Sequence, residues 1–280
     1  MRSFFLFSFL ISSAAAFAQP KMVTQAIIST TTNVIAPDDE DVSQIQNQGG
    51  GGGFNFRNFG DGETKTTTYI KNDLVKTSFK SESFRGSIYR NNAAKTTTTI
   101  FEIMGNKQGI SATDDDQVAM RKKADSMMKE RAKTDTNMQR RPRNTEQSPV
   151  TVAYSDESKK VAGYNCKKAY IITDRLLGKD SLEVWYTPEI KFPNVSSTGG
   201  TSGLGSMMGG NSNNFDKVDG FVMQYERSMP RGRKMEVKVT KIEISEVADK
   251  EFELPKDVEI KTMKEMSEQG GGMFRMMQRQ

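Results

Sequence analysis

The chain has 280 residues, with 40 Lys and Arg against 35 Asp and Glu for a formal net charge of +5, no histidine and one cysteine. The last two counts exclude the most: no Ser-His-Asp or Cys-His nucleophile, no histidine-based zinc site and no intramolecular disulfide can be assembled. An apolar content of 35% with 23 glycines predicts one core of moderate size with long loops. Charges of both signs are interspersed along the chain and not gathered into a basic patch, so nucleic acid is not an expected partner.

Residues 1–18 join one basic residue, Arg2, to an apolar run from Phe4 to Ile11 and a small-residue end, Ala16-Phe17-Ala18. This is the pattern of a secretory signal peptide cleaved before Gln19. The alternative, an uncleaved anchor, has an apolar stretch of only about 14 residues, short of the roughly 20 that a spanning helix needs. Gln19 stands where a lipid-modified lipoprotein would carry cysteine, and no later segment reads as transmembrane. The expected location is the periplasm or the space outside the cell.

The next stretch, Met22 to Ile35, is rich in Thr, Ile and Val and reads as a strand ending before Pro37 and the acidic cluster Asp38 to Asp41. Residues 36–62 then form an expected flexible insertion, with glycines at 49–53 followed by Phe54, Phe56 and Phe59. Such a segment buries too little apolar area to offset its ordering entropy. A sharper reading has the three phenylalanines docking a partner or a membrane surface.

From Glu63 the pattern is an antiparallel meander: ETKTTTYI, DLVKTSFKSES, SFRGSIYRN, KTTTTIFEIM and KQGISAT, separated by short polar turns. At Asp114-Asp115-Asp116 the period changes. Val118, Ala124, Met127, Met128 and Ala132 recur near helical spacing, predicting one amphipathic helix over about Asp115 to Lys133. The three aspartates lack the glycine and distal glutamate of a calcium loop, whereas capping a helix N-terminus accounts for them. Thr134 to Ser148 reads as a linker whose RRPR cluster at 140–143 is either a solvated loop or a phospholipid contact.

The densest strand signal lies between Ser158 and Ile190, where KKVAGYNCKKAYIITD passes through a Gly178-Lys179-Asp180 turn into SLEVWYTPEI. Alternation puts Tyr164, Cys166, Lys168, Tyr170 and Ile172 on one face, with Leu182, Val184 and Tyr186 sharing a face of the second strand. Lys167 and Lys168 could lower the pKa of Cys166, but its place between two tyrosines favours a buried, apolar role. A second low-complexity insertion is expected over 194–216; its Gly203-x-Gly205-x-x-x-Gly209 spacing misses the dinucleotide fingerprint. Strands follow from Gly220 and from Arg233, the latter with a bulge near Thr240 to restore its register. Phe252-Glu253-Leu254-Pro255 closes a single domain spanning 19–260, and 261–280 reads as a disordered Met- and Gly-rich tail.

Three pieces carry a family resemblance: VAGYNCKKAYI followed by LEVWYTPEI, then DGFVMQYER leading into a long alternating strand, then EFELP. With the Gly163-Tyr164-x-Cys166-x-x-Ala169 core, the chain resembles the secreted bacterial proteins grouped as domain of unknown function 4412, and through them the lipoprotein carriers of the Lol pathway. The resemblance implies a mainly β (α+β) fold of LolA-like type in the periplasm of a Gram-negative cell. Its sheet would be a strongly curved antiparallel open half-barrel, with one or two covering helices and an apolar cavity between them.

The expected function is non-enzymatic binding of a lipid or an acylated lipoprotein, with no cofactor and no metal. The candidate apolar face is Tyr164, Tyr170, Ile172, Val184, Tyr186, Val222, Met235 and Val237, under a lid carrying Met127 and Met128. Two alternatives stand beside this reading. These residues could be a filled core, or the protein could be an envelope module whose Gly-rich insertions contact other envelope proteins.

Overall fold

The computed structural model describes residues 20–35, 62–119, 149–193 and 214–268, less 83, 104, 176, 177, 230 and 231, together with 122, 123, 126, 130 and 195. The signal peptide, nearly all of both Gly-rich insertions, the RRPR linker and the lid residues Met127 and Met128 lie outside them. Among the described residues the fold is an open half-barrel: one sheet of twelve strands, antiparallel but for one edge pair, and not closed.

In chain order the strands are β1 (Lys21–Met22), β2 (Gln25–Ile35), β3 (Gly62–Lys71), β4 (Leu74–Lys80), β5 (Arg85–Asn91), β6 (Thr96–Ile103), β7 (Asn106–Thr113), β8 (Val150–Val161), β9 (Tyr164–Arg175), β10 (Gly178–Thr187), β11 (Ile190–Lys191), β12 (Phe221–Ser228), β13 (Lys234–Glu243) and β14 (Ile260–Thr262). The large sheet runs β14-β7-β6-β5-β4-β3-β2-β13-β12-β10-β9-β8. A separate parallel ladder of β1 and β11 brings Val23, Ile190 and Phe192 against Ala26, Ile28, Cys166 and Phe221 as one core cluster.

The turns follow from local chemistry. Ala162 and Gly163, both at positive φ, make the two-residue turn between β8 and β9, in keeping with the right-handed twist of a hairpin. The turn expected at Gly178 to Asp180 is not there: these residues pair with Arg175, Asp174 and Thr173 inside the β9–β10 ladder. The predicted bulge near Thr240 is present as a register shift between Val239 and Lys241, and the Thr240 hydroxyl donates to the Ser29 carbonyl at 3.2 Å. A second shift lets Val222 and Tyr225 pair with Tyr186 and Val184, so both face the same way despite their odd spacing.

Helix α1 begins at residue 114, and its described start is built as a capping box. The Asp116 amide donates to Thr113 Oγ1 at 3.1 Å while the Thr113 amide donates to Asp116 Oδ2 at 2.9 Å. Asp114 is paired bidentately with Arg90. The aspartate cluster thus serves a helix start, as expected. The same device recurs at Thr262 and Glu265, starting helix α2 (Met263–Glu268), so ordered structure runs past residue 260, where the tail was expected to begin.

Between β13 and β14 the chain crosses the whole left half of the sheet. Spanning the seven strand spacings from β13 to β14 takes about 34 Å at about 4.8 Å each, within reach of the residues 244–259 when extended. Anchors occur in sheet order: the Val247 amide donates to Gln25 Oε1 on β2, then Asp249 pairs with Lys71 on β3 and Glu251 with Lys76 on β4. Asp257 pairs with Lys107 on β7, and Glu259 accepts from the Gly109 amide. This strap defines one face of the sheet, here called the strap face.

Candidate functional site

The expected apolar face divides in two. Val184, Tyr186, Val222 and Val237 are at most 6% exposed and pack into a single cluster with Ala169, Ile171, Phe215 and Tyr225, with Met235 against it. Register explains the split: Val184 sits opposite Ala169, and Glu183 opposite Tyr170, so Tyr170 and Ile172 point to the other side of the sheet. Tyr164 joins the cluster around Cys166. Placing Tyr164, Tyr170 and Ile172 inward with Val184 is therefore corrected; strand parity was read rightly within each strand, but the register between them was not available.

Cys166 is 0% exposed, and burial pushes its thiol up to about 11, which removes the thiolate character a nucleophile would need.

The larger described cleft lies elsewhere, under the strap. Its volume is about 450 Å³, and it is lined by residues of β3 to β7 together with Pro255 and Val258 of the strap. Three transverse rows of the strap face set its chemistry. The first, read across hydrogen-bonded neighbours, is Lys65-Lys80-Arg85-Glu102-Lys107. The second is Thr67-Ser78-Ser87-Ile100-Gly109, in which the Ser78 and Ser87 hydroxyls are 3.0 Å apart. The third begins Tyr69-Lys76-Tyr89. There the Lys76 ammonium lies 5.2 Å and 5.6 Å from the two ring centroids and pairs with Glu251 of the strap. Burial, then the Glu251 charge, raises the Tyr69 pKa; burial likewise raises that of Tyr89 against the lowering effect of its Ser87 hydrogen bond. Both phenols stay protonated at neutral pH.

Behind the floor of the cleft, on the face away from the strap, Thr66, Phe79, Gly86 and Phe101 form the intervening row. There a Cβ at Gly86 would meet the Ile100 carbonyl oxygen and the Phe79 ring, each at 2.5 Å, so the Phe79 ring lies over the glycine in the space a side chain would need. Ile100, Pro255 and Val258 give the cleft an apolar wall next to a cationic end.

Sequence reading missed this site, although one signal for it was present. The two-residue Asn72-Asp73 turn pairs Lys71 with Leu74, and counting outward places Lys65 opposite Lys80. Also unexpected was Trp185, which holds Lys159 at 4.1 Å and Lys168 at 5.3 Å from its ring centroid. Among the described residues no cluster of three or more Cys, Asp or Glu is arranged to hold a metal, and no helix is long and apolar enough to cross a membrane.

These features define an open half-barrel β protein with a strapped, part-apolar, part-cationic cleft. The chain belongs to the family described as domain of unknown function (DUF4412), matched over residues 61–258. That span takes in every residue lining the cleft and nearly all of the strap, but not β2, the strand at the middle of the sheet. No curated protein matches the chain.

Proposed function

We propose that this is an exported, non-enzymatic binding protein that takes an amphiphile, a lipid or the acylated end of a lipoprotein, in the cleft between β3–β7 and the strap. One observation carries the reading: about 450 Å³ of space, within the range of small-ligand sites, joins an apolar wall to a cationic end. Each methylene buried there is worth about 0.8 kcal/mol, so a chain of about ten carbons supplies roughly 8 kcal/mol before ordering costs. The apolar cluster first expected to hold the ligand is closely packed with its own side chains, which favours the strapped cleft over it. Binding without catalysis is supported by the absence of histidine and by the raised pKa of the one thiol. Export to the periplasm rests on the leader pattern of residues 1–18.

The test is to strip the purified protein of lipid, incubate it with a membrane lipid extract and record native mass spectra. An adduct of lipid mass is expected, and its loss on blocking the cleft by Thr67→Phe, on the strap face, would place it there. Spectra showing only the bare protein would sink the reading.

A further inference from the structure

The cation row ends in an arrangement that costs stability where it stands. Lys65, Lys80 and Arg85 are direct lateral neighbours on β3, β4 and β5, and like charges facing one another across strands are destabilising. Elsewhere along the same row Lys238 on β13 has no ion pair among the described residues, but the other cations are offset. Lys168 pairs with Glu157 and Glu183, Lys107 with Asp257, and Arg85 itself reaches Glu102 at 3.5 Å. Among the described residues Lys65 has only the exposed Glu63 at 3.2 Å, and Lys80 has no ion pair. Beside this triad the Ser78 and Ser87 hydroxyls share one hydrogen bond. Two hydroxyls carry two protons, so one remains to donate outward. A guanidinium fork, two ammonium groups and a spare hydroxyl donor around one end of a cleft are the donor set of a tetrahedral oxyanion site.

We propose that Lys65, Lys80 and Arg85, with the Ser78-Ser87 pair, form a subsite for a phosphate-bearing head group whose alkyl chain lies along Ile100, Pro255 and Val258. This rests on the amphiphile reading above and names the chemistry of its polar end.

The experiment titrates the full chain calorimetrically with dodecyl phosphate, dodecyl maltoside and inorganic phosphate, below micelle-forming concentrations, at low and high salt. Dodecyl phosphate should bind at least about tenfold tighter than dodecyl maltoside, and added salt should weaken the former alone. Lys80→Gln and Arg85→Gln should each lose about tenfold in affinity for dodecyl phosphate and leave dodecyl maltoside binding as it was. The salt series on the unmodified chain gives a reading independent of either variant's folding.

Equal affinity for the two dodecyl compounds, or variants that bind dodecyl phosphate as the parent does, would overturn the head-group subsite while the amphiphile reading stands. Inorganic phosphate binding as tightly as dodecyl phosphate would make this a free-oxyanion site and overturn the alkyl part. If neither dodecyl compound binds, the amphiphile reading itself falls.

Discussion

The two halves of the sheet use the same alternating strands to different ends. In the right half, β8 to β10 with β12 and β13, the face away from the strap is Val184, Tyr186, Val222, Tyr225 and Val237, packed to near-zero exposure under Phe215 and Val218. Its strap face carries Lys168 amid Glu157, Glu183 and Trp185, each charge answered by a neighbour. In the left half, β3 to β7, the buried positions include Thr66, Thr68, Thr77, Thr98 and Thr99 beside Ile70, Phe79, Ile88 and Ile100, and the strap face keeps an open cleft beside three neighbouring cations. A sheet that is filled on one side and left hollow beside laterally adjacent cations on the other separates stability from binding.

The sharpest way to break that division is to make the same deletion in each half. Ile171 lies 2% exposed in the filled cluster, while Ile100, at 6%, borders the cleft. Ile171→Ala leaves a sealed void and should cost about 3 kcal/mol; Ile100→Ala enlarges an existing opening and should cost about 1 kcal/mol less. Urea denaturation of both variants measures the difference, and equal costs would show that the left half is as tightly packed as the right.

The next test works in the opposite direction, by adding atoms. Gly86→Ala places a methyl at 2.5 Å from a backbone oxygen that cannot swing away, so the Phe79 ring and β6 must shift. The expected loss is about 2 kcal/mol, with amphiphile binding kept, because the methyl points to the face away from the strap. A small glycine-to-alanine change at Gly163 in the right half meets nothing within 4 Å; its cost comes from a φ of +86° alone and should leave binding untouched.

How far these halves could be read from the sequence also differs. Meander order, strand limits and the Thr240 bulge were legible, because hydrophobic alternation and turn residues are local signals. The division of the apolar face was not. Tyr170 and Val184 look equivalent until register puts Glu183 opposite Tyr170, and register depends on a connection whose turn residues gave the wrong count. The cleft was hidden for another reason. It needs the strap, whose sequence from Ile244 to Glu259 has no strand or helix period and is held by side-chain anchors to strands that lie more than a hundred residues earlier in the chain.

The strap itself gives a smaller expected effect. Glu251 and Lys76 are 29% and 16% exposed and 3.2 Å apart, so Glu251→Gln should weaken the strap by about 1 kcal/mol or less. Hydrogen exchange at residues 245–259 should speed up in this variant while β9 and β10 amides keep their protection. The outer clasp is set by Asp257, whose hydrogen bond to Lys107 holds its carboxyl below 3.8 and holds the lysine above 10.5. A lowered acid contributes above its unfolded pKa and is lost as pH falls through the folded one; a raised base contributes below its unfolded pKa and is lost as pH rises through its folded one. Strap exchange, corrected for intrinsic rates, should therefore be flat between about pH 5 and 9 and respond to salt instead.

The smallest effect separates the halves by sign. Lys80→Gln removes a charge facing Lys65 and Arg85 across the ladder, so it should raise stability by about 0.5 kcal/mol even as it lowers affinity for an alkyl phosphate. Lys168→Gln should do the reverse. Its ammonium is held above the usual lysine range first by the Glu157 hydrogen bond and then by Glu183, so removing it lowers stability, and the deficit should persist through neutral pH and shrink only above about pH 10.5. Paired thermal melts of the two variants at neutral and alkaline pH read both signs at once. If Lys80→Gln destabilises as Lys168→Gln does, the left-hand cations are structural, and the contrast between a paired lysine in the filled half and a ligand-ready cation row in the hollow one is lost.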